Sequence, residues 1–240
     1  MGEQGKREAA KGVVEEFADL IHKSRVIGIG TGSTIANVVK ILYENGMLDG
    51  KILVPSSYQA MELLSLRGLP VHTNFGGLTI DLYIDGADEV SLRGDMIKGR
   101  GAAILGEKML AYASRINIFV VDEGKMVNKL GSRKPLPLEV HPWIYNLVIE
   151  LLHKRFGWNV QVRKSSSKDG PTISDHGNIV LDAYTGPLED PYYTERELSS
   201  VPGILCTGLF LGMANHIVVG FDDGGYRVYN FERRFGLGYT

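Results

Sequence analysis

The sequence predicts an α/β fold, a mostly parallel sheet with helices on both faces, followed by a smaller α+β unit. Three observations carry this expectation. Short β-like runs alternate with helical patterns through the first half, several of those runs close in glycine or Asp-Gly turns, and the rhythm changes at a proline-rich passage, "GSRKPLPLEVHPW". With 240 residues the chain is long enough for one large domain or two modest ones, each with a real core.

In chain order, an opening helix is expected over roughly residues 6–22, then a strand at "RVIGIG". In "TIANVVKILYENG", Ile35, Val38, Val39 and Leu42 recur at helical spacing, and Asn45-Gly46 supplies a stop. "KILV" reads as the next strand and "SYQAMELLSLRG" as the next helix. "LPVH", "LTIDLYID" and "NIFVV" read as strands, with the helix "AILGEKMLAYAS" between the last two. Beyond the proline-rich passage, "WIYNLVIELLHKRF" is an amphipathic helix, "NVQVRK" and "GNIVLDAY" are strands, and "EDPYYTERELSSVPG" is a helix ended by Pro-Gly. "ILCTGLF", "HIVVGF" and "YRVYNF" return to buried-strand character, so the tail is expected to rejoin the first sheet. The expected division is 1–130 with 205–240 as one domain and 131–204 as an inserted smaller one.

Composition excludes several classes. The 26 basic and 28 acidic residues give a net charge of −2 and are scattered, so no nucleic-acid surface is expected. No apolar run approaches the ~18 residues a membrane span needs. The first residues lack the apolar core of a signal peptide, and Lys6 stands where a myristoylation signal wants Ser or Thr. A single cysteine, Cys206, fits a reducing compartment, and the cytoplasm is the expected location. Six histidines (His22, His72, His141, His153, His176, His216) follow no ligand spacing, so no metal site and no cofactor are expected.

Two stretches concentrate chemistry. "GIGTGST" follows a strand and opens a helix, where glycines admit a close backbone approach and helix N–H groups suit a phosphate. Ser33 and Thr34 add hydroxyls, and either is a candidate N-cap. The sixth position of a dinucleotide fingerprint is Ser33 rather than Gly, and no acid follows the second strand in "VPSSYQ". A Walker A lysine is also missing, so the loop suits a small phosphorylated ligand or is an ordinary turn. In "IDGADEV", Asp85 and Asp88 stand at or just past the end of a strand, either as a solvated turn or as the edge of a site. "KGRGAAILGEKMLA" adds Lys98 before two glycines that flank Arg100, a backbone able to offer N–H groups to an anion. It also adds Glu107, on a helix beginning near Ala102, on the side shared with Ala103, Leu110 and Ala111. That glutamate is a partly buried structural carboxylate, a solvated partner of Lys108, or a base tuned by its surroundings. Lys125 in "VVDEGKMV" is a solvated lysine or a phosphate clamp.

"GTGST", "DGADEV" and "KGRGAA" with its glutamate, in that order, closely resemble the ribose-5-phosphate isomerase A family. "PSSYQA", "VDEGKMV", "KPLPLEV", "GNIVLD" and "VPGIL…GLF" extend the resemblance from about residue 26 to 221. It implies a Rossmann-like domain carrying the site and a smaller α+β (ferredoxin-like) domain used in contacts of a homodimer or homotetramer. It implies reversible conversion of D-ribose 5-phosphate to D-ribulose 5-phosphate through an enediolate, in the non-oxidative pentose phosphate pathway, without a metal. By the same resemblance Glu107 is the general base, and Lys98, Asp85 and Asp88 contact the sugar and assist catalysis. Thr31, Gly32, Ser33 and Thr34 form the phosphate loop, Lys125 adds a ligand contact, and Gly86, Ala87, Gly99, Arg100 and Gly101 complete the binding residues. Two departures stand out. The family often has three glycines after the lysine, and the middle one here is Arg100; it also often has a basic residue in the first helix, where this chain has Ala10 with Lys11 beside it and Lys6 upstream. The rival readings are a related sugar-phosphate deaminase or lactonase, expected to use a histidine near the base, and a non-enzymatic sugar-phosphate sensor. No histidine lies between His72 and His141.

Overall fold

The computed structural model describes residues 2–236, apart from the side chain of Lys168. Its elements begin with α1 (Glu3–Lys23), β1 (Val26–Ile29), α2 (Ser33–Glu44), β2 (Ile52–Pro55), α3 (Tyr58–Ser65), β3 (Ile80–Asp85), β4 (Glu89–Ser91), β5 (Met96–Ile97), α4 (Ile104–Ala113), β6 (Ser114–Asp122) and β7 (Met126–Val127). They continue as β8 (Leu136–Val140), α5 (Tyr145–Phe156), β9 (Asn159–Val162), β10 (Lys164–Ser165), β11 (Lys168–Pro171), β12 (Ile179–Tyr184), α6 (Pro191–Ser199), β13 (Ile204–Thr207), β14 (Leu209–Phe210), β15 (His216–Gly220) and β16 (Tyr226–Asn230). The described residues form two compact units, 2–87 with 107–126 and 212–236, and 88–106 with 127–211.

The first unit is the expected α/β layer structure. Its sheet has the order β16-β15-β6-β3-β1-β2, parallel except for β16 at one edge. Strands buried on both faces read as continuous apolar runs, and β1 is buried at all four positions. On one face Ile27, Ile29, Leu82, Ile84, Ile118, Val120 and Val218 join the buried residues of α1 and α2 in a single core. On the other face Leu110 of α4 approaches Gly28, where an added Cβ would lie 2.8 Å from the Tyr83 ring and 3.5 Å from Leu110. The sheet therefore has helices on both sides.

Helix α1 lies close to the sheet because small residues line the contact. A Cβ on Gly220 would sit 1.9 Å from the Gly5 carbonyl oxygen and 2.5 Å from the Ala9 nitrogen. Gly12, a poor helix former, is accommodated for the same reason, since the Tyr226 ring occupies the space its Cβ would take at 2.6 Å. The amino terminus of α1 is capped by Asp222, which accepts from the Gly2 and Gly5 amides at 3.0 Å each.

The second unit is α+β. Its antiparallel sheet has the order β13-β8-β12-β9, and Val148 and Leu152 of α5 and Leu198 of α6 share its core with Leu136, Leu138, Val140 and Leu181. A short antiparallel set, β14-β5-β4, belongs to the same unit.

Two sequence expectations need correction, and one buried strand lies where none was predicted. "LPVH" makes only an isolated bridge, Leu53 with Val71, since Pro70 has no N–H to extend a ladder. The proline-rich passage contains β8, a fully buried inner strand. Pro137 is tolerated there because pairing with β13 ends at Leu138, and the Pro137 carbonyl instead accepts from Gly208 at 2.7 Å. Residues 88–106, 127–130 and 205–211, expected in the first domain, cluster with the second unit. There the Lys98 amide donates to the Gly208 carbonyl at 2.9 Å and β5 pairs with β14.

Gly220→Ala forces α1 off the sheet. A destabilisation of about 2–3 kcal/mol is expected from overpacking of this kind, read as a lower midpoint in denaturant titration with an unchanged slope. A midpoint equal to the parent's would refute the close-packing account.

Candidate active site

The strand order reverses between β1 and β3, because the chain leaves β1 for β2 on one side and returns to β3 on the other. Open α/β sheets bind ligands beyond the carboxyl ends of their strands at such a point. Here the two strand ends are joined directly. The Gly30 amide donates to the Ile84 carbonyl at 2.9 Å. Asp85, with no exposed surface, then accepts on Oδ1 from the amides of Thr31 at 2.9 Å and Gly86 at 2.7 Å, and on Oδ2 from the Tyr83 hydroxyl. Gly30 is required by this arrangement, since a Cβ there would lie 1.9 Å from Asp85 Oδ1.

The loop after β1 is held from the next strand as well. Thr31 Oγ1 lies 3.1 Å from Ser56 Oγ and donates to Ser57 Oγ at 2.8 Å, while Ser57 caps α3 by accepting from the Ala60 amide at 3.0 Å. The Gly32 amide donates to Gln59 Oε1 at 3.2 Å. Neither Ser33 nor Thr34 is the N-cap of α2. Gly32 takes that place at φ +105°, and no side chain caps the helix. The first-turn amides of α2 are thus not claimed by a capping side chain, which is the condition for receiving an anion.

Tyr83 carries the electrostatic signature of this region. Burial, then the charges of Asp85 and Glu107, raise its pKa well above the ordinary tyrosine value, and its hydrogen bond to Asp85 raises it further. A hydrogen bond with Ser56 opposes them. Glu107 stands in the first turn of α4 and is 3% exposed, so it is the buried alternative among the readings of its sequence. The helix begins at Ile104 rather than Ala102. Lys125 ends a short 3-10 turn after β6 and is half-buried, and Asp122 caps that turn by accepting from Gly124 at 3.1 Å. Two basic residues of α1 pair within the helix, Lys6 with Glu3 at 2.6 Å and Lys11 with Glu15 at 3.5 Å, while Ala10 is fully buried.

Ala87, half-buried, ends the first segment of the first unit, and the other candidate residues, Asp88 and Lys98–Gly101, belong to the second. Lys98 is 2% exposed, and its ammonium lies 5.2 Å from the centroid of the Phe210 ring. Gly99 has φ +102°, and a Cβ there would lie 2.5 Å from Ile104 Cγ1. The Arg100 amide donates to Asp88 Oδ2 at 3.0 Å, and Arg100 Nε lies 3.7 Å from Asp88 Oδ1. Gly101 is exposed, and Ala102 is in the left-handed region at φ +63°, alone among the described non-glycine residues.

Sequence reasoning left out Gly30, Ser56, Ser57, Gln59 and Tyr83. Tyr83 carried a signal, because residues two apart in a strand share a face and Asp85 is two positions on. The serines and Gln59 carried none, since their roles depend on β2 lying beside β1.

Tyr83→Phe leaves the buried Asp85 carboxylate short of a donor, at an expected cost of about 1–3 kcal/mol. It also changes the response to alkali. Folded Tyr83 holds its proton above the pKa of about 10 at which an unfolded tyrosine loses it. Its contribution to stability is therefore intact below that pH and falls above it, by up to ~1.4 kcal/mol per pH unit. Denaturant titrations between about pH 9 and 11.5 should show a steeper alkaline loss in the parent than in Tyr83→Phe; equal slopes would contradict the assignment.

Comparison with known proteins matches this architecture to one family. The family model for ribose 5-phosphate isomerase A (phosphoriboisomerase A) matches residues 52–224. The ribose-5-phosphate isomerase A of Aeropyrum pernix is 43% identical, covering 92% of this chain and 93% of its own. That of Thermococcus kodakarensis is 39% identical over 90% and 96%. Among solved structures, a D-ribose-5-phosphate isomerase in complex with phospho-erythronic acid superposes with a TM-score of 0.89 at 36% identity, covering 96% of this chain and 99% of that one. The ribose 5-phosphate isomerase A of Methanocaldococcus jannaschii gives 0.85 at 31% identity over 94% and 97%. With a family model spanning most of its length and relatives aligned nearly end to end, this chain belongs to the ribose 5-phosphate isomerase A family.

Proposed function

We propose that this chain interconverts D-ribose 5-phosphate and D-ribulose 5-phosphate as an aldose–ketose isomerase, working through an enediolate in the non-oxidative pentose phosphate pathway. The observation that carries the reading is the glycine-rich loop tied to a buried carboxylate at the switch point of the sheet. The ligand named for the solved relative suits it. A phosphorylated four-carbon acid has a planar carboxylate whose two oxygens resemble those of an enediolate, and it carries a phosphate for a loop like Thr31–Thr34.

Moving the carbonyl from C1 to C2 needs one group to take the C2 proton and return it to C1. Glu107, buried in the first turn of α4, is proposed for that transfer. The charge that develops on oxygen needs donors placed in advance, and Lys98 with loop N–H groups is proposed to supply them. Asp85 is proposed to move the proton between O1 and O2, with Asp88 assisting ring opening. The three hydrogen bonds that hold Asp85 give it a second task, keeping the phosphate loop in shape. Lys125 is the proposed further phosphate contact. Assembly as a homodimer or homotetramer through the smaller domain is part of the same proposal.

Glu107→Gln should lower turnover by roughly 10²–10⁴-fold, the usual share of a general base, while ribose 5-phosphate still binds. Solvent deuterium should no longer enter the product at the transferred position. Turnover near that of the parent would remove Glu107 from the role of base. Saturable binding by the parent chain without proton exchange would favour a sensor, and inhibition by a chelator would overturn the metal-free mechanism.

A further inference from the structure

We propose that Arg163, held by Asp182, is a positioning residue that sets the conformation of the Lys98–Gly101 loop. Arg163 follows β9, and its backbone is fixed on both sides, its amide donating to Val180 at 2.9 Å and its carbonyl accepting from Thr172 at 2.8 Å. Its guanidinium faces Asp182 of β12 in a two-pronged pair, Nε to Oδ2 at 2.9 Å and Nη2 to Oδ1. Both side chains are about 15–16% exposed. The remaining nitrogen, Nη1, donates to two consecutive loop carbonyls, Gly99 and Arg100, at 2.9 Å each.

In a trans peptide the N–H points opposite the C=O. Fixing the Gly99 and Arg100 carbonyls toward Arg163 therefore turns the amides of Arg100 and Gly101 away from it. The Arg100 amide duly meets Asp88 Oδ2 at 3.0 Å, so that peptide is held at both ends. The Gly101 amide, on an exposed residue, is turned the same way. The Gly99 oxygen also accepts from Ala102 at 3.1 Å, and Gly99 and Ala102 both take left-handed conformations, so the loop is over-determined. One guanidinium thus orients the peptides next to Lys98 and, through one of them, the carboxylate of Asp88. Lysine has no fork able to grip a carboxylate with two nitrogens and bridge two carbonyls with a third.

This proposal rests on the isomerase reading of Lys98 and Asp88, and the experiment separates the two. Steady-state kinetics with ribose 5-phosphate are measured for Arg163→Ala, Arg163→Lys, Asp182→Asn and Lys98→Met, per folded molecule and well below each melting temperature. Misplacing a catalytic group by about 1 Å costs on the order of 10²-fold in rate, so Arg163→Ala should lose about that much kcat while KM moves less than about threefold. Arg163→Lys should recover part of the loss. Guanidinium ion at millimolar concentration should raise the kcat of Arg163→Ala without raising its melting temperature, which a purely structural role would not produce. Should Arg163→Ala fail to fold, Asp182→Asn and Arg163→Lys carry the test, with loss of kcat at an unchanged melting temperature supporting the proposal. A kcat per folded molecule within about twofold of the parent in the Arg163 variants would overturn it. Near-normal turnover in Lys98→Met would overturn the site reading itself.

Discussion

The Asp85 carboxylate ties together the two strand ends on which the first unit's candidate site depends. β1 and β3 are neighbours whose chains go separate ways, and the turn after β1 has no regular ladder to define it. Asp85 substitutes for that ladder by accepting the Thr31 and Gly86 amides on one oxygen and the Tyr83 hydroxyl on the other. An ionised carboxylate with several donors forms stronger hydrogen bonds than a neutral acceptor would. Its burial in turn requires those donors, since an unpaired buried charge is costly. The same bond explains Gly30, because the carboxylate lies where any side chain at that position would begin.

The second unit uses the same device. Glu89, 1% exposed, accepts from the amides of Gly131, Arg133 and Lys134 at 2.6, 2.6 and 2.7 Å and so fixes the turn before β8. Glu139, with no exposed surface, accepts from the Leu105 amide at 3.2 Å, Ser174 Oγ at 2.7 Å and Asn178 Nδ2 at 2.8 Å, which anchors the start of α4. Irregular backbone inside a folded unit must find partners for its amides, and here carboxylates supply them. Where carbonyls need partners, arginines do: Arg163 on the Lys98 loop, and Arg233, which donates to the Ala111 and Tyr112 carbonyls at the end of α4.

Much of this was legible in the residues. The alternation of strands and helices is a periodicity signal, and the six-stranded sheet and its helices follow it. The identity of the family was legible because three separated motifs keep their order, although each one also suits an ordinary turn. Partner relationships were not legible. Glu89 reads as one more charge in "GADEV" until the fold brings residues 131–134 to it. Arg163 is one residue of the strand pattern "NVQVRK", and its role was not legible because its partners at positions 99, 100 and 182 are far away in sequence. The strand at Pro137 was not legible for a similar reason, since whether a proline fits an inner strand depends on where the neighbouring ladder stops.

Arg100 shows why backbone geometry settles what residue type leaves open. A run of glycines after Lys98 suggests that every position there needs glycine, and an arginine in the middle then looks disruptive. The dihedral angles divide the requirement. Gly99 needs glycine twice over, for its φ of +102° and for the closeness of Ile104, whereas Arg100 does not have a positive φ. Its side chain is 72% exposed, so bulk at this position displaces nothing buried. What the loop takes from residue 100 is its peptide groups, the amide bound by Asp88 and the carbonyl bound by Arg163, and these are common to every residue but proline. The arginine adds a guanidinium 3.7 Å from the same carboxylate its amide holds. The departure from glycine therefore preserves the loop and places one more positive charge at Asp88.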